Sequence, residues 1–398
     1  MSRDAAHQVD AVSRRKYLLT LTAAGAAGLA GCSGQSNSGS GGESGTSSGG
    51  SGGGSGDGDD ADEGGSGGSA APATVTAEGS STVYPISNKG SSYWNSNSPA
   101  SDGEYWGSND ESSVPGWDQI DTDQNIADYF AGLYGFEPTG ERSNPPFATR
   151  VALSHSGTGC EAVRDGLVDI GNSSGPITAE LDISEEQRDE NYVDHVVGRD
   201  GQPVFVSQAI YDAGVDQLTG EQIRGIYQGD ITNWSEVGGP DREIYVVGRA
   251  EGSGTDTSFR LNMLGDADAP MEVDTRLGQN QQVQQVLQDN DNAIGYMALA
   301  FSGPGIQAIA IDFEGTVFRP DPDAENTIFD SEYPLNRDLH MYTRITEDTP
   351  EGTDMREAAF LNMFLTDFGQ QVFVEDVNYI TLPTSDIEAE RAKLPEQA

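Results

Sequence analysis

Glycine and hydroxyl side chains recur in three short segments, each between a strand-like run and a helix-like run. These segments are GSSTVYP at residues 79–85, SHSGTG at 154–159 and RAEGSGT at 249–255. Such a loop places hydroxyls and unpaired backbone N–H groups at the start of a helix, where the helix dipole favours an anion. One loop alone is more typical of an ordinary helix cap. Three of them favour an oxyanion site that needs no metal.

The wider pattern predicts an α/β fold, because strand-like and helix-like runs alternate along the chain. The strand-like runs are residues 74–77, 150–154, 244–247 and 306–311, and the helix-like runs are 122–134, 220–228, 281–288 and 354–375. The stretch from about residue 73 to residue 398 is longer than a single hydrophobic core usually supports. We therefore expect two lobes.

The net charge of the chain argues against nucleic acid as a partner and indicates a surrounding solution of high salt. The chain has 65 acidic and 21 basic residues, a formal net charge of -44. Such a surface repels nucleic-acid phosphates. In molar salt, where the Debye length is about 3 Å, its carboxylates cease to repel one another over long distances. We infer a halophilic source. A disordered acidic chain is the alternative, but apolar runs at 204–210 and 293–301 predict a packed core.

The N-terminus resembles an export signal. The segment SRRKYLL at 13–19 precedes a short apolar stretch that ends in LAGC, with Cys32 as its last residue. This pattern is similar to a twin-arginine signal joined to a lipobox, which implies a lipidated Cys32. The apolar stretch at 17–30 is shorter than the roughly 20 residues of a membrane-spanning helix. We expect export to the outer face of the cytoplasmic membrane, with part of the population released.

A polar tether is predicted after this signal. Residues 33–72 are almost all Gly, Ser, Asp and Glu, which is too polar a composition for a packed core. As a random coil, this length gives a reach of roughly 35 Å. Cys160 is the other cysteine of the chain, so no structural disulfide is predicted although the compartment is oxidising.

The third loop has the most specific chemistry. The guanidinium of Arg249, the hydroxyls of Ser253 and Thr255 and the N–H of Gly254 could converge on one tetrahedral anion. Glu251 could pair with the guanidinium and hold it in place. A surface arginine beside a glycine-rich turn is the alternative. A P-loop is excluded because no G-x-x-x-x-G-K-[ST] pattern is present here.

Further motifs carry a resemblance to a family. They are VDIGNSSGPI at 168–177, IYQGDITNW at 226–234, AIGY at 293–296 and YITLP at 379–383. With the three loops, they make residues 75–383 similar to the phosphate-binding proteins of Pst-type ABC importers, in a haloarchaeal-like form. The resemblance implies a type II periplasmic-binding-protein fold, with two α/β lobes that close on the anion. It also implies an ABC permease as partner, a monomer and no cofactor.

The resemblance also implies a set of ligands. Those of the first lobe are Ser81, Thr82, the Val83 N–H, Ser156 and Thr158, and those of the second are Arg249, Ser253, the Gly254 N–H and Thr255. Ser174 stands where the family often has an aspartate that accepts a phosphate proton. A hydroxyl can donate or accept, so it discriminates less against sulfate. Sulfate and related oxyanions therefore stay open as alternatives to phosphate.

The predicted domain organisation follows from these features. Residues 1–32 are the signal, 33–72 the disordered tether, 73–200 with 300–398 the first lobe, and 201–299 the second lobe. Residues 89–118 are interpreted as an insertion into the first lobe. Its aromatic residues are Tyr93, Trp94, Tyr105, Trp106 and Trp117. We expect them to dock onto the lobe, and a lid over the cleft or a permease contact is the alternative.

Other function classes fit less well. Ser156 beside His155 would suit a hydrolase, but Ser156 does not lie in a G-x-S-x-G motif, and no metal-ligand spacing of His or Cys accompanies it. A purely structural surface protein would not need hydroxyl-rich loops at helix starts. We therefore expect binding without reaction, and no enzymatic activity.

Overall fold

The computed structural model describes residues 73–99, 102 and 122–398. The predicted signal with Cys32, the predicted tether, and the aromatic residues Tyr105, Trp106 and Trp117 lie outside these residues.

Strands and helices alternate along the described chain, as the sequence predicts. The strands are β1 (Val75–Ser80), β2 (Thr149–Ser154), β3 (Ile170–Ser173), β4 (Tyr192–Asp200), β5 (Val204–Ser207), β6 (Gln217–Thr219), β7 (Tyr245–Arg249), β8 (Thr275–Leu277), β9 (Ala293–Tyr296), β10 (Ile306–Ala308), β11 (Ala310–Phe313), β12 (Thr316–Phe318) and β13 (Arg337–Arg344). The α-helices are α1 (Tyr84–Ser96), α2 (Ile126–Gly132), α3 (Ser156–Arg164), α4 (Ile177–Glu180), α5 (Glu185–Asn191), α6 (Gln208–Asp212), α7 (Gly220–Tyr227), α8 (Gly254–Phe259), α9 (Asn280–Asp289), α10 (Met355–Phe364), α11 (Asp367–Gly369) and α12 (Thr384–Arg391). Short 3-10 or π segments are Trp234–Val237, Arg260–Leu264, Leu299–Phe301, Gln370–Val374 and Glu375–Val377.

The first sheet combines strands from both ends of the described chain. Its order is β2-β1-β3-β13-β4. Strand β1 is parallel to β2 and β3, whereas β13 is antiparallel to β3 and β4. Parallel neighbours require crossover connections, which contain α1 and α3. We call this sheet and the helices on it the first half.

The second half is built around sheets with the orders β10-β5-β9-β7-β8 and β12-β11-β6. The chain crosses between the halves at residues 200–204 and 318–337. Strand β10 pairs with β5, and β11 pairs with β6, so strands up to Phe318 belong to this half. The predicted end of the second lobe at residue 299 is therefore too early. The run at 306–311 looks like one strand in sequence, but it divides at Ile309 and enters two sheets.

Helix boundaries follow local capping chemistry. A capping box of Thr219 and Gln222 starts α7, and one of Asp354 and Glu357 starts α10. The predicted helix at 354–375 is interrupted, because the side chain of Thr366 accepts a hydrogen bond from the Gly369 N–H and begins a new turn. The chain then continues through the π and 3-10 segments.

Helix α1 supplies part of the core of the first half. Its Trp94 is fully buried and donates from Nε1 to the carbonyl oxygen of Phe147 at 2.7 Å. Tyr93 meets Phe373 edge to face, with ring centroids 5.3 Å apart. Both aromatic residues thus dock on the first half, but residues 89–96 form the last turns of α1 and not the beginning of an insertion.

Cys160 is a free and buried cysteine of α3. Burial raises the pKa of its thiol above the ordinary range, which makes it inert. In the part of the chain that the structure describes, no helix is long and apolar enough to cross a lipid bilayer.

Candidate anion-binding cleft

The predicted anion-binding loops meet where the two halves face each other. Arg249, at the end of β7, donates from Nη2 to the hydroxyl of Ser81, which follows β1, at 3.2 Å. The backbone N–H of Gly157 in α3 donates to the carbonyl oxygen of Gly252 at 3.0 Å. Crevices at the carboxyl ends of strands are the usual ligand sites of α/β sheets. These contacts bring all three loops into one cleft.

The guanidinium of Arg249 is buried and fixed by several acceptors. Nε donates to the carbonyl of Leu277 at 3.1 Å, and Nη2 donates to the carbonyl of Gly278 at 2.8 Å as well as to Ser81. Nη1 donates to the side-chain oxygen of Asn280 at 2.6 Å. Burial lowers the pKa of Arg249 to about 10, so the group keeps its charge at neutral pH.

The backbone of Arg249 is held by a second, buried cluster. Its N–H donates to the hydroxyl of Tyr296 at 3.2 Å, and that hydroxyl donates in turn to Asp256. Asp256 forms an ion pair with Arg260 at 2.8 Å. Arg276 donates to the carbonyl of Arg249 at 3.0 Å. At the strand end that presents the guanidinium, both the N–H and the carbonyl oxygen of Arg249 are therefore hydrogen-bonded.

Hydroxyl groups line the cleft next to this guanidinium. The hydroxyls of Thr82 and Thr255, from opposite halves, lie 3.1 Å apart. Asn280 donates to the hydroxyls of Ser81 and Thr82, at 3.2 Å each. All four residues are at least 97% buried, so their hydrogen-bonding groups are shielded from water. A hydroxyl can donate to an anion when its present neighbour takes the acceptor role.

A second guanidinium, from Arg337 at the start of β13, lies on the other side of these hydroxyls. It pairs with Asp200, at 2.6 Å from Nη2 and 3.0 Å from Nε. Nη2 also donates to Thr255 at 3.2 Å and to Thr82 at 3.4 Å, and Nη1 donates to the carbonyl of Gly254 at 3.1 Å. Arg337 therefore touches both halves at the point where the chain crosses between them.

Serine side chains complete the first half's wall. The backbone N–H of Ser174 donates to the hydroxyl of Ser156 at 3.1 Å, and the hydroxyl of Ser80 donates to that of Ser174 at 3.0 Å. Arg337 lies 3.4 Å from the Ser174 hydroxyl. The N–H of Val83 faces the hydroxyl of Ser80 at 3.4 Å. Ser80, Ser156 and Ser174 thus form one hydrogen-bonded group beside the Arg337 guanidinium.

Comparison with known proteins agrees with this geometry. A family model described as a PBP superfamily domain matches residues 136–367. The phosphate-binding protein PstS of Bacillus subtilis is 31% identical over 253 residues, which cover 62% of this chain and 75% of that protein. PstS of Staphylococcus saprophyticus is 26% identical over 261 residues, covering 64% and 77%. This chain belongs to the PstS family of phosphate-binding proteins.

Solved structures bear out the fold of this PstS-family chain. A Clostridium perfringens structure described as a phosphate ABC transporter substrate-binding protein with bound phosphate has a TM-score of 0.55 and 20% identity, covering 78% of this chain and all of that one. An ABC-type phosphate transport receptor from Vibrio cholerae has a TM-score of 0.50 and 21% identity, with the same coverage. The two-lobed periplasmic-binding-protein fold is confirmed. The haloarchaeal-like origin stays a prediction.

Most of the ligands implied by the PstS resemblance lie at the cleft. Gly254 begins α8 and Ser253 directly precedes it, and both are buried. A Cβ atom on Gly254 would lie 2.3 Å from the Ser156 hydroxyl, so only glycine allows the halves to approach this closely. The other predicted ligands at the cleft are Ser81, Thr82, Val83, Ser156, Ser174, Arg249 and Thr255.

The structure does not bring Thr158 or Glu251 to the cleft. Thr158 is exposed on α3, two residues after Ser156, and positions two apart on a helix face different directions. Glu251 is exposed on the turn that Gly252 makes with a φ of +74°. The acceptors that hold the Arg249 guanidinium are backbone carbonyls and the Asn280 side chain instead.

The sequence did not predict that Arg337, Asp200 and Asn280 lie in the cleft. Arg337 and Asp200 lie at the ends of strands without a glycine-rich turn, and Asn280 opens α9 far from the three loops. Their proximity is created by the sheet order and by the chain crossings. No local signal marks Asp200, because its strand also contains Asp194, His195 and Arg199.

Proposed function

We propose that this chain captures inorganic phosphate outside the cytoplasm and delivers it to an ABC importer. The observation that carries the proposal is the convergence of two guanidinium groups, from Arg249 and Arg337, with the hydroxyls of Ser81, Thr82 and Thr255 across the two halves. Guanidinium and hydroxyl donors suit the oxygens of a tetrahedral anion. The names of the PstS relatives support phosphate as that anion.

Binding is proposed to proceed by closure without a chemical step. The open halves admit the anion, the donors engage its oxygens, and closure excludes water. Charge-assisted hydrogen bonds contribute about 1.5–3 kcal/mol each, whereas micromolar affinity needs only about 8 kcal/mol in total. The costs of desolvating the donors and of ordering the cleft offset most of the summed hydrogen-bond energy. Short directional donors make the selection, because long-range attraction is screened in concentrated salt.

We propose a lipid on Cys32 as the attachment to the membrane, after twin-arginine export. Residues 33–72 would then act as the tether of a monomeric receptor that works in concentrated salt. The motif at 13–19, the cysteine at the end of LAGC and the net charge of -44 support these features. A mass measurement of the protein purified from its membrane would reveal the lipid.

The choice between phosphate and sulfate depends on the cleft wall around Ser174. Its hydroxyl meets the donors Ser80 and Arg337 and does not impose the proton requirement of a carboxylate. A receptor for sulfate or another tetrahedral oxyanion is therefore the second candidate.

Calorimetric titration in concentrated KCl tests the proposal. Phosphate, sulfate, arsenate and molybdate are titrated in turn into the wild type, into Arg249→Ala and into the control Arg164→Ala, whose side chain is exposed. We expect micromolar or tighter phosphate binding that is lost in Arg249→Ala and retained in Arg164→Ala. Equal binding of sulfate would favour a broader oxyanion receptor, and no binding of any anion would reject the assignment.

A further inference from the structure

The carboxyl group of Glu180 occupies an unusual place at the seam between the two halves. Glu180 ends α4 in the first half, directly after the loop that contains Ser174. A Cβ atom on Gly175 would lie 2.8 Å from its Oε1, and one on Gly157 would lie 3.3 Å from its Oε2. The carboxyl group therefore lies against the two backbone segments that form the first half's wall of the cleft.

The second half covers this carboxyl group. The same Cβ positions on Gly175 and Gly157 come within 3.4 Å of Gly254 and Gly252, so the glycine loop of the second half lies beside Glu180. The hydroxyl of Thr257, on α8, donates to the carbonyl oxygen of Ser253 at 3.3 Å and lowers the pKa of the nearby carboxyl. Opening of the halves would move α8 and its loop away and expose the group to water.

One carboxyl oxygen is left without a partner in the closed arrangement. Among the described residues, Oε1 of Glu180 is buried and has no hydrogen-bond partner. A buried carboxylate oxygen without a donor is costly, whereas a protonated carboxyl carries no charge to desolvate. The closed state therefore favours the protonated form.

The charged and titratable groups that face Glu180 are Asp256, Arg337 and Cys160. Burial is the main cause that raises the pKa of Glu180 from its ordinary 4.5 to about 7. Asp256 raises it further, whereas Thr257 and Arg337 lower it. Cys160 stays neutral, because burial raises the pKa of its thiol.

We propose that Glu180 couples closure on the anion to the uptake of a proton, so that binding tightens as the pH falls. The inference rests on the proposed function, since it requires an anion on which the halves close. It makes Glu180 a positioning residue of the closed state and not a ligand of the anion.

The sign of the effect follows from linkage. If opening exposes the carboxyl, its pKa returns toward the ordinary value of 4.5, whereas in the closed state its pKa is about 7. Below both values, the group is protonated throughout and closure has no extra cost. Between them, closure takes up a proton, and the contribution of Glu180 weakens binding by roughly tenfold for each rise of one pH unit. Above pH 7 this contribution is constant.

The test is phosphate titration of the full chain in concentrated KCl, between pH 5 and pH 8, in buffers of different ionisation enthalpy. Phosphate itself changes protonation in this range, so the readout is the difference between wild type and Glu180→Gln. The matched control is Glu186→Gln, on the exposed surface of α5. We expect wild type and Glu186→Gln to take up close to one more proton than Glu180→Gln near pH 6. The ratio of their dissociation constants to that of Glu180→Gln should rise between pH 5 and pH 7.

A second variant keeps the inference testable if Glu180→Gln does not fold. Thr257→Val removes the hydroxyl that lowers the pKa of the Glu180 carboxyl, so the pH range in which closure takes up a proton should extend to higher pH. If wild type and Glu180→Gln both bind phosphate and take up equal numbers of protons, the role of Glu180 is overturned and the proposed function is unaffected. An unchanged pH range in Thr257→Val would also overturn that role, whereas absence of phosphate binding in the wild type would reject the proposed function itself.

Discussion

At the scale of single residues, the cleft is organised by arginines that are fixed in different ways. Arg249 is oriented by neutral acceptors, namely the carbonyls of Leu277 and Gly278 and the side chain of Asn280. Arg337 is oriented by a carboxylate, that of Asp200. Part of the charge of Arg337 is thus compensated inside the protein, whereas Arg249 has its charge available for an anion.

The ion pair of Arg337 and Asp200 makes a prediction about stability. Both side chains are at least 96% buried. Asp200→Asn would leave the guanidinium of Arg337 buried without its counter-charge, and we expect a loss of about 3–5 kcal/mol in the free energy of unfolding. Denaturant titration in concentrated KCl measures it.

A double-mutant cycle provides the control for this pair. Arg337→Met combined with Asp200→Asn should cost clearly less than the sum of the single changes, because neither group is then left charged alone. Additive losses would mean that the pair is not coupled in the folded protein.

Local sequence predicted residues of the cleft when a loop brought them there, and failed when distant chain segments did. Ser81, Ser156, Arg249 and Thr255 lie in hydroxyl-rich loops, whose position at the ends of strands the chain itself reveals. Arg337 reaches the same point through strand order, which no short motif encodes. Glu251 was misplaced because spacing of two residues does not specify which way a turn points its side chains.

At the scale of elements, α1 shows why a local rule can mislead. Gly90 lies inside this helix, where alanine would ordinarily be better by about 1 kcal/mol. A Cβ atom at this position would lie 2.3 Å from the ring of Phe364 in α10, which is fully buried. The glycine is therefore required by the close packing of α1 on α10.

Gly90→Ala should accordingly destabilise the protein, despite the gain in helix propensity. The expected loss is about 1–3 kcal/mol, because Phe364 and its neighbours must shift in a packed core. Thermal unfolding measures the change. Gly132→Ala in α2, where the nearest atom to a new Cβ is 4.0 Å away, is the matched control and should be neutral or stabilising. A stabilising Gly90→Ala would contradict the packing described for α1.

Element types were predicted well, and element ends less well. The strand before each loop and the helix after it are present, because apolar periodicity and caps are local signals. The helix at 354–375 was predicted as continuous because apolar residues recur every four positions across the break, at Phe360, Phe364, Phe368 and Val372. The interruption depends on a side-chain cap, whose formation needs the surrounding packing.

At the scale of the whole molecule, the two halves are connected only where the chain crosses at residues 200–204 and 318–337, within the part of the chain that the structure describes. Asp200 and Arg337 lie at these crossings and contact each other. The proposed closure would therefore bend the chain next to the groups that line the cleft. This arrangement explains how closure and anion binding can be one event.

The net charge of -44 belongs to this scale as well. It opposes the approach of an anion at low ionic strength and is screened in concentrated salt. Selection of the ligand must therefore come from contacts inside the cleft. The fold and the two-lobe architecture were predictable from alternation and length, whereas the ends of the lobes depended on pairing between distant strands.

A crystal structure of the chain grown with phosphate in concentrated KCl tests the central claim most directly. The account predicts phosphate in the cleft, within hydrogen-bonding distance of the Arg249 guanidinium and of the hydroxyls of Ser81 and Thr255. Phosphate bound elsewhere, with Arg249 still hydrogen-bonded to Ser81 in an otherwise unchanged cleft, would contradict it.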